Sequence, residues 1–485
     1  MAIIAILVLP IIAVIISWAD PSGRTAPFAT VASSSCTMAL TLYACLKVLH
    51  FRSVVAIPDW VEMDGLGALI LLLVAVVGFT ATIFSWGYIG AVAHNARQVR
   101  VYYANYNLFL FSMLAVPVLV QPNLVWTAVE LTTLFSVLLV SFENTREAME
   151  AAWKYIVLTL MGAAIALLGF LVLFWAMRQT GAVIYTWTAL NASATALNPH
   201  LLKVAILLIL VGFGVKAGLV PLHTWLPDAH SQAPSPVCAL LSGVETTVVL
   251  YAILRLGPVM SAAPGLDMRN WAIAFGLLST GVAAFLLLRV QDYKRLFAFS
   301  TVEHMGIILT AVGLGGSDGY YGAMFQMMSH SLTKSFCFYA AGAALLMVGT
   351  REIAAVRGLI QTSPLVGSSL LLGALAIAGA PPFAVFLSEF SIFRAGLTQG
   401  RYVVTGLLVL FVAIAFFGIL LHINRMVFGP AEGSNPKMTK LPATCTLTLI
   451  VAAIPVVALG FYLPSSVNAL LRSAALPTLL GGPGK

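Results

Sequence analysis

Apolar stretches of about 20 residues, each long enough to cross a bilayer as an α-helix, recur along the whole chain between short polar loops. The strict alternation of a membrane β-barrel is absent. This pattern predicts an all-α polytopic membrane protein, whose first stretch is interpreted as a span rather than a removed signal peptide. The fourteen predicted spans are 1–18, 27–49, 65–90, 101–121, 123–142, 152–177, 201–221, 236–257, 270–289, 297–315, 320–349, 366–398, 402–428 and 442–463.

Two predicted spans are interrupted by glycine and proline, the seventh in GFGVKAGLVPLHTWLP and the twelfth in GALAIAGAPPFAVFLSEF. They lie five spans apart, and a repeated unit with an odd number of spans re-enters the membrane from the opposite face. Paired broken helices of this kind are typical of transporters built from inverted repeats. We therefore predict two inverted five-helix repeats, 101–260 (helices 4–8) and 261–430 (helices 9–13), each with one broken helix. Residues 1–100 then hold helices 1–3, and residues 431–485 hold the last helix and the C-terminal tail.

Composition supports the membrane assignment and narrows the chemistry. The chain is 60% hydrophobic and 9% charged, whereas soluble domains carry about 25% charged residues. The net charge of +8 comes from single basic residues in short loops, which suits a lipid bilayer better than a nucleic acid. The five cysteines form no CxxC pair, and no nucleotide-binding or hydrolase motif stands out. We therefore expect no metal, no cofactor and no catalytic redox site in this chain.

Charged side chains inside the apolar stretches are the candidate functional residues, because a charge at bilayer depth costs at least about 2.5 kcal/mol. Lys216 lies in the broken seventh span, and Glu130 in the fifth span is its natural partner. The alternatives are a lysine that reaches to the interface and a glutamate that only holds helices together. Glu245, in the eighth span, has a functional and a structural interpretation that are equally open.

Histidines and further charges follow the two broken helices. His223 and His230 flank Asp228, and histidine relays protons near neutral pH. For Asp228, a role in the relay and a role in holding the fold are equally open. The second half adds the segments STVEHMG, MSHSLTKSF and FLSEF. The residues predicted to transfer protons are Glu130, Lys216, His223, His230, Glu245, His304, His330, Lys334 and Glu389.

The chain resembles the antiporter-like membrane subunits of respiratory complex I, and above all the hydrogenase-4 F-type subunit of group 4 energy-converting hydrogenases. The segments that carry the resemblance are FGVKAGLVPLHTWLPDAHSQAPSPV, QDYKRLFAFSTVEHMG, MSHSLTKSFCFYAAG and GAPPFAVFLSEF. It implies fourteen helices, two inverted five-helix units and a polar axis across the membrane. The residues that match this axis are Glu130, Lys216, His330, Lys334 and Glu389. One departure is Thr247, which stands where related subunits commonly carry a second lysine.

The resemblance implies a proton-translocating subunit of a redox-driven complex in the bacterial inner membrane. Its expected partners are other membrane subunits and a peripheral redox arm, which would hold the redox cofactors. The Glu130–Lys216 pair would alternate between closed and open states, and the open state would release a proton along His330 and Lys334 toward Glu389. The alternatives are a subunit of an Mrp-type cation/proton antiporter, a membrane subunit of an inorganic-carbon uptake system, and an anchor that has lost conduction.

Overall fold

The computed structural model of the chain describes residues 1–262, 268–430 and 440–475. The predicted tail beyond residue 475 and the start of the predicted C-terminal region, 431–439, lie outside these residues. The helices are α1 (Ala2–Ala19), α2 (Thr25–Phe51), α3 (Gly65–Val92), α4 (Ala96–Ala115), α5 (Pro122–Val140), α6 (Arg146–Arg178), α7 (Trp187–Ala192), α8 (Pro199–Lys216), α9 (Trp225–Gln232), α10 (Ser235–Leu240), α11 (Thr246–Leu254), α12 (Gly257–Ala262), α13 (Met268–Leu287), α14 (Tyr293–Leu314), α15 (Gly316–Val348), α16 (Leu359–Thr362), α17 (Pro364–Ile377), α18 (Ala384–Thr398), α19 (Tyr402–Phe428), α20 (Ala443–Phe461) and α21 (Ser465–Ala475). The strands are β1 (Ser53–Ile57) and β2 (Val61–Asp64).

The helices confirm the predicted all-α polytopic membrane fold. Thirteen helical segments of the described residues are long and apolar enough to cross a membrane. The predicted span 366–398 is divided into α17 and α18, which are separated by a break at 378–383. The predicted span 236–257 is continuous from Ser235 to Leu254, but one π-helical turn, Leu241–Glu245, joins α10 to α11.

A short antiparallel hairpin, β1–β2, lies between α2 and α3, where the sequence pattern predicts only a loop. Its last residue, Asp64, begins α3 by accepting a hydrogen bond of 2.9 Å from the Gly67 N–H. The same carboxylate accepts from Arg255 Nη2 at 2.7 Å. Burial by itself raises the pKa of Asp64, but the Arg255 guanidinium outweighs it and holds that pKa below its usual value. The ion pair therefore joins the hairpin to the end of α11.

The two broken helices resemble each other in detail. One break separates α8 from α9 and contains Gly218; the other separates α17 from α18 and contains Gly379. Both glycines have φ +79°, a backbone conformation that favours glycine. The carbonyl of Val215 accepts from the Trp225 indole at 2.8 Å, and that of Ile377 lies 3.0 Å from His304 Nε2. Carbonyls at the broken ends are thus satisfied by protein groups, as a membrane interior requires.

A close crossing of α6 and α8 sets the position of the first broken helix. Gly162 and Gly212 face each other there: a Cβ on Gly212 would lie 2.5 Å from the Gly162 carbonyl oxygen, and one on Gly162 would lie 2.7 Å from the Gly212 oxygen. Small residues let helix backbones approach in membranes. Because Gly212 lies one helical turn before Lys216, this crossing also places the lysine.

We predict that Gly212→Ala destabilises the protein by about 1–3 kcal/mol, because the added methyl group overpacks the crossing. Gly90→Ala is the matched control, since Gly90 is also helical and a Cβ there would meet no atom of the described residues within 4 Å. Helix propensity alone favours alanine over glycine by about 1 kcal/mol. Thermal unfolding in detergent measures both variants, and equal midpoints would contradict the close crossing.

Candidate proton-transfer site

Lys216 lies at the end of α8, only 1% exposed, between two carboxylates. Its Nζ is 4.0 Å from Glu130 Oε1 and 3.8 Å from Glu245 Oε1. It donates hydrogen bonds to the Val129 carbonyl and the Thr133 hydroxyl, both on α5. The structure thus brings the expected pair Glu130 and Lys216 together and adds Glu245 as a second acid.

The two carboxylates are held very differently. Glu245 Oε1 accepts hydrogen bonds from the Thr132 hydroxyl at 2.7 Å and from the Tyr155 hydroxyl at 3.2 Å. Neither carboxyl oxygen of Glu130 has a hydrogen-bond partner in the described part of the chain, and its side chain is 14% exposed. The ammonium of Lys216 therefore lies between one fixed acid and one acid that is free of hydrogen bonds.

The π-helical turn Leu241–Glu245 explains where Glu245 points. Its hydrogen bonds run to the fifth residue back, as from the Thr246 N–H to the Leu241 carbonyl, so the helix gains one residue in that turn. Such turns occur frequently at functional sites. The extra residue changes the face on which Glu245 lies, which simple helical periodicity from the sequence does not reveal.

A line of buried polar groups leads from this turn into the second half of the molecule. His330 Nε2 lies 3.1 Å from the carbonyl of Ser242, which belongs to the same turn. The His330 ring centroid is 5.0 Å from that of His304. His304 Nδ1 in turn lies 2.9 Å from the Gln326 amide nitrogen. The structure thus brings the predicted residues His330 and His304 together on neighbouring helices, α15 and α14.

The line ends at the second broken helix. With the Gln326 amide donating to Nδ1, His304 is neutral and its Nε2–H donates to the Ile377 carbonyl. The Gln326 amide oxygen accepts from the Ser388 hydroxyl, and the next residue is Glu389. Glu389 is 3% exposed and lies over the break: a Cβ on Gly379 would be 2.4 Å from Glu389 Oε2.

Lys334, on α15, is fully buried and repeats the surroundings of Lys216. Its Nζ donates to the Phe297 carbonyl at 3.0 Å and to the Ser300 hydroxyl, both on α14. Each lysine therefore binds one carbonyl and, about one turn later, one hydroxyl of a neighbouring helix. Within the described residues, Lys334 Nζ has no carboxylate oxygen within 4.0 Å.

The two histidines near the first break are less directly connected. His230 Nδ1 lies 2.7 Å from the Leu226 carbonyl, while its Nε2 makes no hydrogen bond in the parts of the chain described. His223 lies in the break itself and is nearly buried. Asp228, between them, pairs with Lys154 Nζ at 3.1 Å and with Arg295 Nη2 at 2.6 Å. The sequence leaves two roles open for Asp228, one in the relay and one in holding the fold. These two ion pairs favour the role in holding the fold.

Thr247 occupies the position for which the resemblance implies a second lysine, and it is buried. The Thr247 hydroxyl donates to the Gly243 carbonyl of its own helix at 3.4 Å. Glu245, two residues earlier, is the charged group that this helix contributes near Lys216. Two contributors that the sequence did not single out are the hydroxyls of Thr132 and Tyr155. Such hydroxyls are common in membrane helices, so only their position distinguishes them.

Comparison with known proteins places the chain in a family. Residues 123–417 match the family described as "NADH:quinone oxidoreductase/Mrp antiporter, TM". The hydrogenase-4 component F homolog of Methylacidiphilum infernorum (isolate V4) is 36% identical over 415 residues, which cover 84% of this chain and 86% of that protein. Hydrogenase-4 component B of Escherichia coli (strain K12) is 31% identical over 345 residues, which are 68% of this chain and 50% of that longer protein.

A solved structure shares the fold. A chain of the membrane-bound sulfane sulfur reductase, an archaeal respiratory membrane complex, superposes with a TM-score of 0.89 at 24% identity and covers 98% of both chains. The family match spans more than half of the sequence. The chain therefore belongs to the NADH:quinone oxidoreductase/Mrp antiporter transmembrane family, which confirms the resemblance seen in the sequence.

We predict that Glu245→Ala destabilises the protein by about 1–3 kcal/mol more than Glu245→Gln does. The glutamine oxygen still accepts from Thr132 and Tyr155, whereas alanine leaves both buried hydroxyls without that acceptor. Denaturant unfolding in detergent measures the difference. Glu143→Ala and Glu143→Gln, at an exposed turn after α5, are the matched controls and should be alike. Equal stabilities of the two Glu245 variants would contradict the hydrogen bonds.

Proposed function

We propose that this chain is a proton-translocating membrane subunit of a redox-driven complex of the group 4 hydrogenase or complex I kind. The observation that carries the proposal is Lys216, buried in a broken helix between Glu130 and Glu245. Charged residues at this depth generally mark ion or proton paths. The names of the relatives and of the matching family agree with this function.

In the proposed mechanism, the Lys216 ammonium alternates between stabilised and unstabilised states. Glu245 is fixed by two hydroxyl groups, so the free carboxylate of Glu130 is the partner that moves. While Glu130 is close, its charge offsets the cost of burying the ammonium. When Glu130 moves away, part of that attraction is lost, and Lys216 releases its proton to His330, the first of the proposed carriers.

The proton then follows the buried polar line through the second half of the molecule. His330, His304 and Lys334 are the proposed intermediate carriers, and Glu389 is the last acceptor. His223 and His230 are proposed to connect water at the first break with the buried groups, since histidine titrates near neutrality. The likeness of the two breaks supports the division of residues 101–260 and 261–430 into two inverted units.

The surroundings of the subunit follow from the same proposal. We place it in a bacterial inner membrane, beside other membrane subunits, with a peripheral redox arm that carries the cofactors. Moving one charge across 100 mV requires about 2.3 kcal/mol. Electron transfer in the partner chains would supply that free energy.

An Mrp-type cation/proton antiporter is the second candidate function, because the matching family also includes Mrp antiporter subunits. The two functions differ in whether another cation must be exchanged for each proton. Sodium dependence therefore separates them.

We predict that Lys216→Ala lowers coupled proton movement by about a hundredfold, the lower end of what a positioned proton-transfer group contributes. The assay is dye-detected acidification in proteoliposomes that hold the purified complex, with assembly checked by co-purification of the partner chains. Lys203→Ala is the matched control, since Lys203 is an exposed lysine on the same helix. Unchanged proton movement in Lys216→Ala would contradict the proposed function, because this lysine is the observation that carries it.

We also predict that redox-driven proton movement proceeds at an undiminished rate in sodium-free buffer, because the pathway consists of proton-exchanging side chains. Dye acidification is compared with and without sodium at matched ionic strength, with potassium as the replacement. A strict sodium requirement would favour the antiporter function instead.

A further inference from the structure

Glu303 is a buried carboxylate that the predicted proton-transfer set does not include. It lies in the middle of α14 and is 3% exposed. Its Oε2 makes no hydrogen bond within the described residues. Lys334 of α15 binds α14 about one turn before Glu303, and α14 also packs against α18, the helix that carries Glu389. Glu303 therefore lies on the helix between two residues that the proposed pathway must connect.

A glutamate kept only for packing would have a different environment. Buried polar atoms are nearly always hydrogen-bonded when their role is structural, because an unsatisfied one is costly. Glu245 has such an environment, with two hydroxyl donors. Glu303 Oε2 is instead buried without a hydrogen-bond partner in the ranges described, as both carboxyl oxygens of Glu130 are.

The two halves of the molecule also place these acids alike. Lys334 donates to the Phe297 carbonyl and the Ser300 hydroxyl of α14, the helix that carries Glu303. Lys216 donates in the same way to a carbonyl and a hydroxyl of α5, the helix that carries its predicted acidic partner. In the proposed division, α5 and α14 are each the second helix of their unit. Each half thus combines a buried lysine with a carboxylate in the middle of the helix that binds it.

We infer that Glu303 is a further proton-transfer residue, which takes a proton from Lys334 and passes it to Glu389. An N–H bond of the Lys334 ammonium breaks as an O–H bond forms on Glu303, with a water molecule passing the proton across the distance between them. The products are a neutral amine and a carboxylic acid. The O–H bond then breaks as the Glu389 carboxylate takes the proton, and Glu303 is a carboxylate again. The inference rests on the proposed function and adds a carrier to its second half.

The test uses the purified complex in proteoliposomes during turnover. Glu303→Gln keeps the size of the side chain but cannot carry the proton, so proton movement should fall by at least about tenfold. Glu303→Asp keeps the carboxyl group and should restore most of it. Glu143→Gln, an exposed carboxylate change, is the control and should match the parent. Parent-like proton movement in Glu303→Gln would overturn the inference.

A second readout separates proton transfer from a structural effect. Turnover-induced infrared difference spectra should show a protonated-carboxyl band that is lost in Glu303→Gln and kept in Glu143→Gln. An unaltered band overturns the inference even if the variant is inactive. Should Glu303→Gln fail to assemble, Glu303→Asp decides instead, since a participating carboxyl must shift this band and an unshifted band overturns the inference. If Lys216→Ala also pumps normally, the proposed function itself fails; if only Glu303→Gln does, the function stands without this carrier.

Discussion

The structure depends on the attraction between one buried ammonium and two carboxylates inside a membrane. Lys216 cannot be solvated by water at 1% exposure, so Glu130, Glu245 and the acceptors on α5 replace its hydration shell. Ionic groups in such surroundings are stabilised only while their partners stay in place. The packing of α5, α6, α8 and the π-helical turn therefore has to hold these five groups within a few ångströms, and the close glycine crossing of α6 and α8 makes this possible.

The two acids beside Lys216 differ in how firmly they are held, and this difference makes Glu130 the one that can move. If both carboxylates were fixed equally, the charged form of Lys216 would be stabilised to the same extent at all times. Here Glu245 is bound to Thr132 and Tyr155, whereas Glu130 makes no hydrogen bond with the described part of the chain that a movement would break. A movement of the Glu130 side chain alone thus changes the electrostatic energy of Lys216, while Glu245 stays bound to Thr132 and Tyr155.

The sequence predicts isolated charges well and their mutual orientation poorly. Lys216 and Glu130 stand out because a single charge in a long apolar run has a large cost. Both helix breaks are equally visible, since glycine and proline interrupt the runs at Gly218 and Gly379. The contact of Glu245 with Lys216 was not predictable, because one extra residue in the π-helical turn alters the face of the helix. The hairpin β1–β2 was missed for another reason: two strands of five and four residues lie in a segment too short for clear alternation.

The hydrogen bond from His304 to the Ile377 carbonyl connects the end of the broken helix α17 to a side chain that can change its protonation. The Nε2–H caps the end of α17, and in the proposed pathway it is also a proton that His304 passes on. A neutral histidine can give up this proton only as its Nδ1 takes up another, so the Gln326 amide must first turn away from Nδ1. The Ile377 carbonyl is then left bare in a medium without water. The backbone conformation at the end of α17 and the protonation of His304 are consequently coupled. In the proposed pathway, each proton transfer through His304 also releases the end of this helix.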